Sequence, residues 1–101
     1  MIGIKVTYTV QDSYVEHNKE NIRRVMEDLR ALNRSDIRYA TFVENDGKTF
    51  VHFAVRQDAD SFKLDSLEAF QKFQNELKES KPEKPPVATP LTLVESSYDI
   101  L

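Results

Sequence analysis

IRYATFVENDGKTFVHFAV, residues 37–55, is the stretch that decides the fold. Ile37 to Glu44 and Lys48 to Val55 are rich in β-branched and aromatic residues, which suit a pleated, half-buried surface, and they flank Asn45-Asp46-Gly47. The spacing predicts a hairpin whose three-residue loop contains a type I turn with Gly47 in the left-handed conformation, since a residue without Cβ accepts positive φ at little cost. In that register Glu44 faces Lys48, Val43 faces Thr49 and Phe42 faces Phe50. Ile37, Tyr39, Val43, Val51, Phe53 and Val55 then share one face, and Arg38, Ala40, Phe42, Phe50, His52, Ala54 and Arg56 share the other. A one-residue slip would break this sorting, because side chains alternate faces along a strand.

Upstream, Ile2, Ile4, Val6, Tyr8 and Val10 alternate with Gly3, Lys5, Thr7 and Thr9, the period of a strand with one buried face. Asp12 or Ser13 is placed to cap a helix, and Ser13 with Glu16 has capping-box spacing. The helix then runs to about Leu32. Tyr14, Val15, Ile22, Val25, Met26, Leu29 and Leu32 recur along it at helical spacing, with most charges elsewhere.

Downstream, Phe62 and Leu64 suggest a short helical turn, Asp65 or Ser66 caps a second helix, and Leu67, Phe70, Phe73 and Leu77 form its buried stripe. Every proline lies between Pro82 and Pro90, which reads as an extended connection leading to a last strand over Leu91 to Ile100. The resulting order, β-α-β-β-α-β, is the α+β ferredoxin-like arrangement: a four-stranded antiparallel sheet with both helices on one face. Residues 1–101 are accordingly expected to form a single domain.

The other sheet face is then left uncovered. In the register above it carries Phe42, Phe50 and Ala54 among Lys5, Thr7, Thr9, Arg38, His52 and Arg56, a mixture that suits a two-fold joint between copies of the chain. Phe42, Phe50, His52, Arg38 and Arg56 are therefore the interface or polar-site candidates, and a homodimer is the expected assembly.

Composition limits the function classes. Lys and Arg number 14 against 17 Asp and Glu, a net charge of −3, which is unfavourable for a general polyanion binder. Gly47, Phe50, Val51 and Phe53 partly match an RNA-recognition third strand, but Asp46 and Lys48 stand where a basic and an aromatic residue are required, and nucleic acid is not the expected partner. Cysteine is absent, which removes thiolate nucleophiles and Cys-containing metal sites, and no carboxylate cluster has metal-ligand spacing. No apolar run approaches the ~18 residues of a membrane span, and a start without a basic leader reads as a cytoplasmic protein with no membrane partner.

The element order, the hairpin Asp46-Gly47-Lys48-Thr49-Phe50-Val51-His52-Phe53 and the later Leu67-Glu68-Ala69-Phe70-Gln71-Lys72-Phe73 together resemble the antibiotic-biosynthesis monooxygenase family over most of the chain. The resemblance implies a dimeric α/β barrel with a pocket beneath the helices. It also implies a small apolar or aromatic ligand and, as an activity, cofactor-independent oxygenation of an aromatic or quinol-like substrate. Ala54 stands where family members commonly carry an acidic residue, Arg56 at a following aromatic place, and Ala69 where many carry a helix histidine. That helix histidine is the iron ligand of the haem-degrading branch, whose pocket tryptophan is absent as well, so no cofactor and no metal is expected. These departures keep a second reading open, a non-catalytic dimerisation or ligand-sensing domain.

Tyr8 and Tyr39 fall on the helix-covered face and are the ligand-pocket candidates, each offering a hydroxyl at the end of a large apolar ring. His52 is the one residue suited to general-base work near neutral pH, although its expected place is the dimer joint. His17 lies among Glu16, Asn18, Lys19 and Glu20 on the polar side of the first helix and is expected only to aid solubility. No catalytic residue is singled out.

Overall fold

Alternation of apolar with small or polar residues builds β1 (Ile2–Thr9), and a single 3-10 turn over Asp12–Tyr14 leads into α1 (Val15–Leu32). The hairpin follows as β2 (Ile37–Val43) and β3 (Thr49–Arg56); a second short turn at Leu64–Ser66 precedes α2 (Glu68–Glu79), and β4 (Lys84–Leu91) ends the regular structure. The computed structural model describes all 101 residues. The strands form one antiparallel sheet in the order β2-β3-β1-β4, a ferredoxin-like β-α-β-β-α-β arrangement. No helix is long and apolar enough to cross a membrane.

Both helices begin without a side-chain cap, so neither Ser13 nor Ser66 plays the capping role expected of it. The preceding 3-10 turns supply the start instead: the Tyr14 amide donates to the Gln11 carbonyl and the Leu67 amide to that of Leu64. At the far end of α1, Asn33 adopts the left-handed conformation at φ 50°, and its amide closes on Arg30.

The hairpin register differs by one residue from the sequence reading. Val43 pairs with Phe50, Phe42 with Val51 and Thr41 with His52. Asp46 is the cause. Its carboxylate accepts the amides of Lys48 and Thr49 at 3.0 and 2.8 Å and the Thr49 hydroxyl at 2.5 Å, which holds Lys48 in the loop and makes Thr49 the first paired residue. Glu44 consequently bonds to Thr49 rather than Lys48, while Gly47, at φ 76°, donates to Glu44 as a turn glycine should.

The slip reverses the placement of β3. Phe50 and His52 lie beneath the helices, 2% and 4% exposed, instead of at the uncovered face. Tyr8 stacks on Phe50 with centroids 5.6 Å apart, and these two rings join Val10, Val25, Phe73 and Leu77 in the buried cluster. Val51, Phe53 and Val55 turn outward with Arg38, Ala40 and Phe42, as the alternation of the paired strands requires. Arg56, paired with Ile2 and Ile37 on the helix side, donates to the carbonyls of Asp58 and Ala59 and so braces the loop after β3 rather than facing a partner.

The last strand is likewise displaced. It is the proline-bearing segment itself, Lys84–Leu91, and residues 92–101 carry no strand. Proline is excluded from inner strands because it has no amide to donate, but an edge strand turns half its amides to solvent and tolerates it. β4 is such an edge, and its register against β1 shifts between Thr7 and Thr9, where Pro85 and Pro86 pass without regular pairing. At the other end Gly3 faces Leu91 so closely that a Cβ on residue 3 would lie 3.2 Å from the Leu91 carbonyl oxygen.

Candidate functional site

The covered face of the sheet does not pack flush against α2. Between them lies a partly open cavity of about 670 Å³, within the ~300 to 1,000 Å³ range of small-molecule sites. Ile4, Val6 and Ala54 form its floor, Phe70, Phe73 and Leu77 of α2 its roof, and Pro82, Pro85, Pro86 and Ala88 its outer side. The side chains follow from their elements: alternate residues of β1 and β3 point up from the sheet, while positions 70, 73 and 77 share one stripe of α2. The prolines make a wall with few amide donors.

Into this apolar enclosure project Tyr8, Tyr39 and His52. The tyrosines anticipated as pocket residues do line the cavity. They are joined by the histidine expected at the opposite face. Tyr8 Oη lies 2.7 Å from His52 Nε2, Tyr39 Oη lies 2.5 Å from Nδ1, and Thr41 Oγ1 lies 3.1 Å from the same Nδ1. Behind Tyr8, the Asn18 amide of α1 donates to the phenol oxygen at 2.9 Å.

Asn18 is fully buried, and sequence reading passed over it as one more polar residue of α1. Its signal was available: position 18 lies one turn from Tyr14 and from Ile22, and two turns from Val25, on the stripe that packs against the sheet. A polar group there needs a partner.

Burial sets the protonation of the group. It lowers His52 to about 4, so the imidazole is neutral near pH 7. Desolvation raises both Tyr8 and Tyr39 above the ordinary phenol range, with the Asn18 and Thr41 hydrogen bonds opposing it, so both phenols keep their protons. Lys78 is the one charged residue of the lining. No cluster of three or more His, Asp or Glu side chains is placed to hold a metal ion.

A second polar group ties the helices together. His17 Nε2 lies 2.5 Å from Glu76 Oε1, and Asn21 donates to the same oxygen at 2.9 Å. His17 thus bridges α1 to α2, where the sequence assigned it only to the solvated side. These bonds hold the carboxyl of Glu76 below its usual range, with His17 the largest influence.

The uncovered face, corrected for register, exposes Phe42 and Phe53, whose rings meet edge-on at 6.1 Å, with Val87 and Leu91 of β4 exposed as well. Of the residues proposed for an interface, Phe42 and Arg38 remain on that face. Phe50, His52 and Arg56 do not, because the one-residue change of register turns them to the other side.

No family model matches the chain, and no curated protein matches it either. Solved structures do. A crystal structure of an antibiotic biosynthesis monooxygenase superposes with a TM-score of 0.76 at 15% identity, covering 94% of this chain and 100% of that one. Rv0793 from Mycobacterium tuberculosis gives 0.78 at 12% identity over 96% and 98% of the two chains. SnoaB, a cofactor-independent oxygenase from Streptomyces nogalater, gives 0.71 at 16% identity over 97% of each. The chain therefore has the fold of the antibiotic biosynthesis monooxygenases of known structure.

Proposed function

We propose that the protein is a homodimeric α/β-barrel protein that binds a small apolar or aromatic molecule in the cavity under α2, and that its activity is cofactor-independent oxygenation of an aromatic or quinol-like substrate. The observation that carries the reading is the cavity itself: an apolar enclosure of about 670 Å³ whose wall holds one compact polar group, Tyr8, His52 and Tyr39. Apolar walls with a few convergent polar atoms are the usual form of a site that orients a flat organic molecule. The structural likeness to SnoaB supports the oxygenase class.

In such a reaction the electron-rich substrate is itself the reductant of oxygen. The protein contributes orientation and a low-dielectric surrounding in which fixed dipoles act strongly on a developing anion. The dimer joint is the uncovered sheet face, since an exposed apolar patch containing Phe42, Phe53, Val87 and Leu91 is better buried than solvated.

A non-catalytic ligand-sensing role is favoured by one observation: both ring nitrogens of His52 already have partners, and the lining contains no carboxylate to serve as a base. Oxygen uptake with a panel of quinols and polyphenols separates the two. Turnover that disappears when the cavity is filled, in a folded variant, supports the oxygenase; ligand binding without turnover supports the sensor.

A further inference from the structure

The chain of hydrogen bonds behind the cavity has a direction. The Asn18 amide nitrogen donates to Tyr8 Oη, so the single phenolic hydrogen of Tyr8 is free for its other neighbour, His52 Nε2, 2.7 Å away. The opposite orientation of the Asn18 amide would leave both its N–H groups buried without a partner. The present one pairs one N–H with Tyr8 and leaves Oδ1 as the atom without a partner, the less costly of the two. Nε2 is then an acceptor, and a neutral imidazole carries its proton on the other nitrogen. Nδ1–H points at Tyr39 Oη at 2.5 Å and is shared with Thr41 Oγ1 at 3.1 Å. Tyr39 therefore accepts from the imidazole, and its own hydrogen, for which the Thr41 hydroxyl is the one neighbouring competitor, is available beside the cavity it lines.

Resting on the reading of the cavity as a small-molecule site, we propose that Tyr39 is its specificity-determining hydrogen-bond donor, aimed at a carbonyl or phenolate oxygen of the ligand, and that His52, Tyr8 and Asn18 are positioning residues that hold it in the donor state. The burial that keeps His52 neutral supports this, because a doubly protonated ring could not accept from Tyr8. The lining agrees in chemistry: it offers donors and one cation, Lys78, and no carboxylate, so an acceptor-bearing, neutral or anionic molecule meets complementary groups and a cationic one does not.

Two measurements test it. Nitrogen-15 NMR of the wild-type protein at neutral pH reads the His52 tautomer without any ligand; the proton is expected on Nδ1, and a proton on Nε2 overturns the inference. The second compares 1-tetralone, a carbonyl acceptor, with its hydrocarbon counterpart tetralin by titration of wild type and Tyr39→Phe. Thr41 still satisfies Nδ1–H in that variant, so the network behind it survives. Tyr39→Phe is expected to weaken 1-tetralone by roughly three- to tenfold, the worth of one hydrogen bond, and to leave tetralin unchanged. An unchanged ratio of the two affinities overturns the donor role while the cavity reading stands. Failure of both probes to bind the wild type overturns both.

Discussion

Tyr8 Oη lies 2.7 Å from His52 Nε2, a buried contact between the central strand β1 and its neighbour β3. It exists because Val6 pairs with His52 and Tyr8 with Phe50, so that all four side chains rise from the same face. An imidazole held there among phenols and aromatic rings is largely withdrawn from water, 4% exposed, and hydrogen-bonded at both nitrogens. Its protonation is thereby tied to the folding equilibrium.

Stability should fall as the pH drops through the window between 6.5 and 4. The folded protein holds His52 at about 4, whereas the unfolded chain takes up the proton near the ordinary value of 6.5. Below 6.5 the unfolded state therefore binds more protons, and the contribution that is full above 6.5 is lost on the way to 4, up to about 3 kcal/mol. Urea denaturation at closely spaced pH values measures the slope. His52→Gln should flatten it; an equal slope in both proteins would assign the acid sensitivity to other groups. Asp36, held at about 2 chiefly by its hydrogen bonds with Arg34, titrates below this window.

Phe73→Ala should cost about 3 to 5 kcal/mol, through lost transfer energy and a cavity that collapses only in part. Its ring is 5% exposed and contacts Tyr8, His52 and Phe70. Phe70→Ala should cost less, because Phe70 is only half-buried and already borders the open cavity. Equal losses in denaturation experiments would mean that the cavity is closed in solution.

Gly47→Val should destabilise the hairpin by about 1 to 2 kcal/mol, the cost of a left-handed backbone for a residue with a β-branched side chain. A Cβ at residue 47 meets no atom within 4 Å, so the effect is conformational and not steric crowding. Gly47→Asn should recover most of the loss, since asparagine tolerates that region. Thermal unfolding of the two variants provides the comparison.

Phe42→Asp should weaken self-association, because it places an unpaired carboxylate in the apolar patch formed with Phe53. Molecular mass over a concentration series, with circular dichroism as the check on folding, measures this. A wild type that stays monomeric at high micromolar concentration would contradict the dimer outright. Phe50→Asp does not test the interface, since Phe50 belongs to the buried cluster and its replacement would unfold the chain.

Periodicity made the element order, the faces of β1 and α2, and the two cavity tyrosines legible in the sequence. The register of the hairpin was not, because it turns on a single side chain: Asp46 captures two amides and a hydroxyl and moves the first pair outward by one residue. That local competition between a loop carboxylate and the ladder has no periodic signature. It decided where Phe50 and His52 would go. The proline strand was hidden for a different reason, since only the sheet order shows that Lys84–Leu91 lies at an edge, where missing amides do little harm. Asn18 lies on the packed stripe of a helix rich in charges, where only its position relative to Tyr14 and Ile22 distinguishes it from the solvated polar residues.

The central claim is that the space beneath α2 holds a small organic molecule. Its most direct measurement is calorimetric titration of 1-naphthol into the wild type and into Ala88→Phe, which places a ring in the cavity from the exposed edge strand. Saturable binding to the wild type, lost in an Ala88→Phe protein of unchanged circular dichroism and mass, is the expected result. No binding to the wild type, or equal binding to both, would contradict the account.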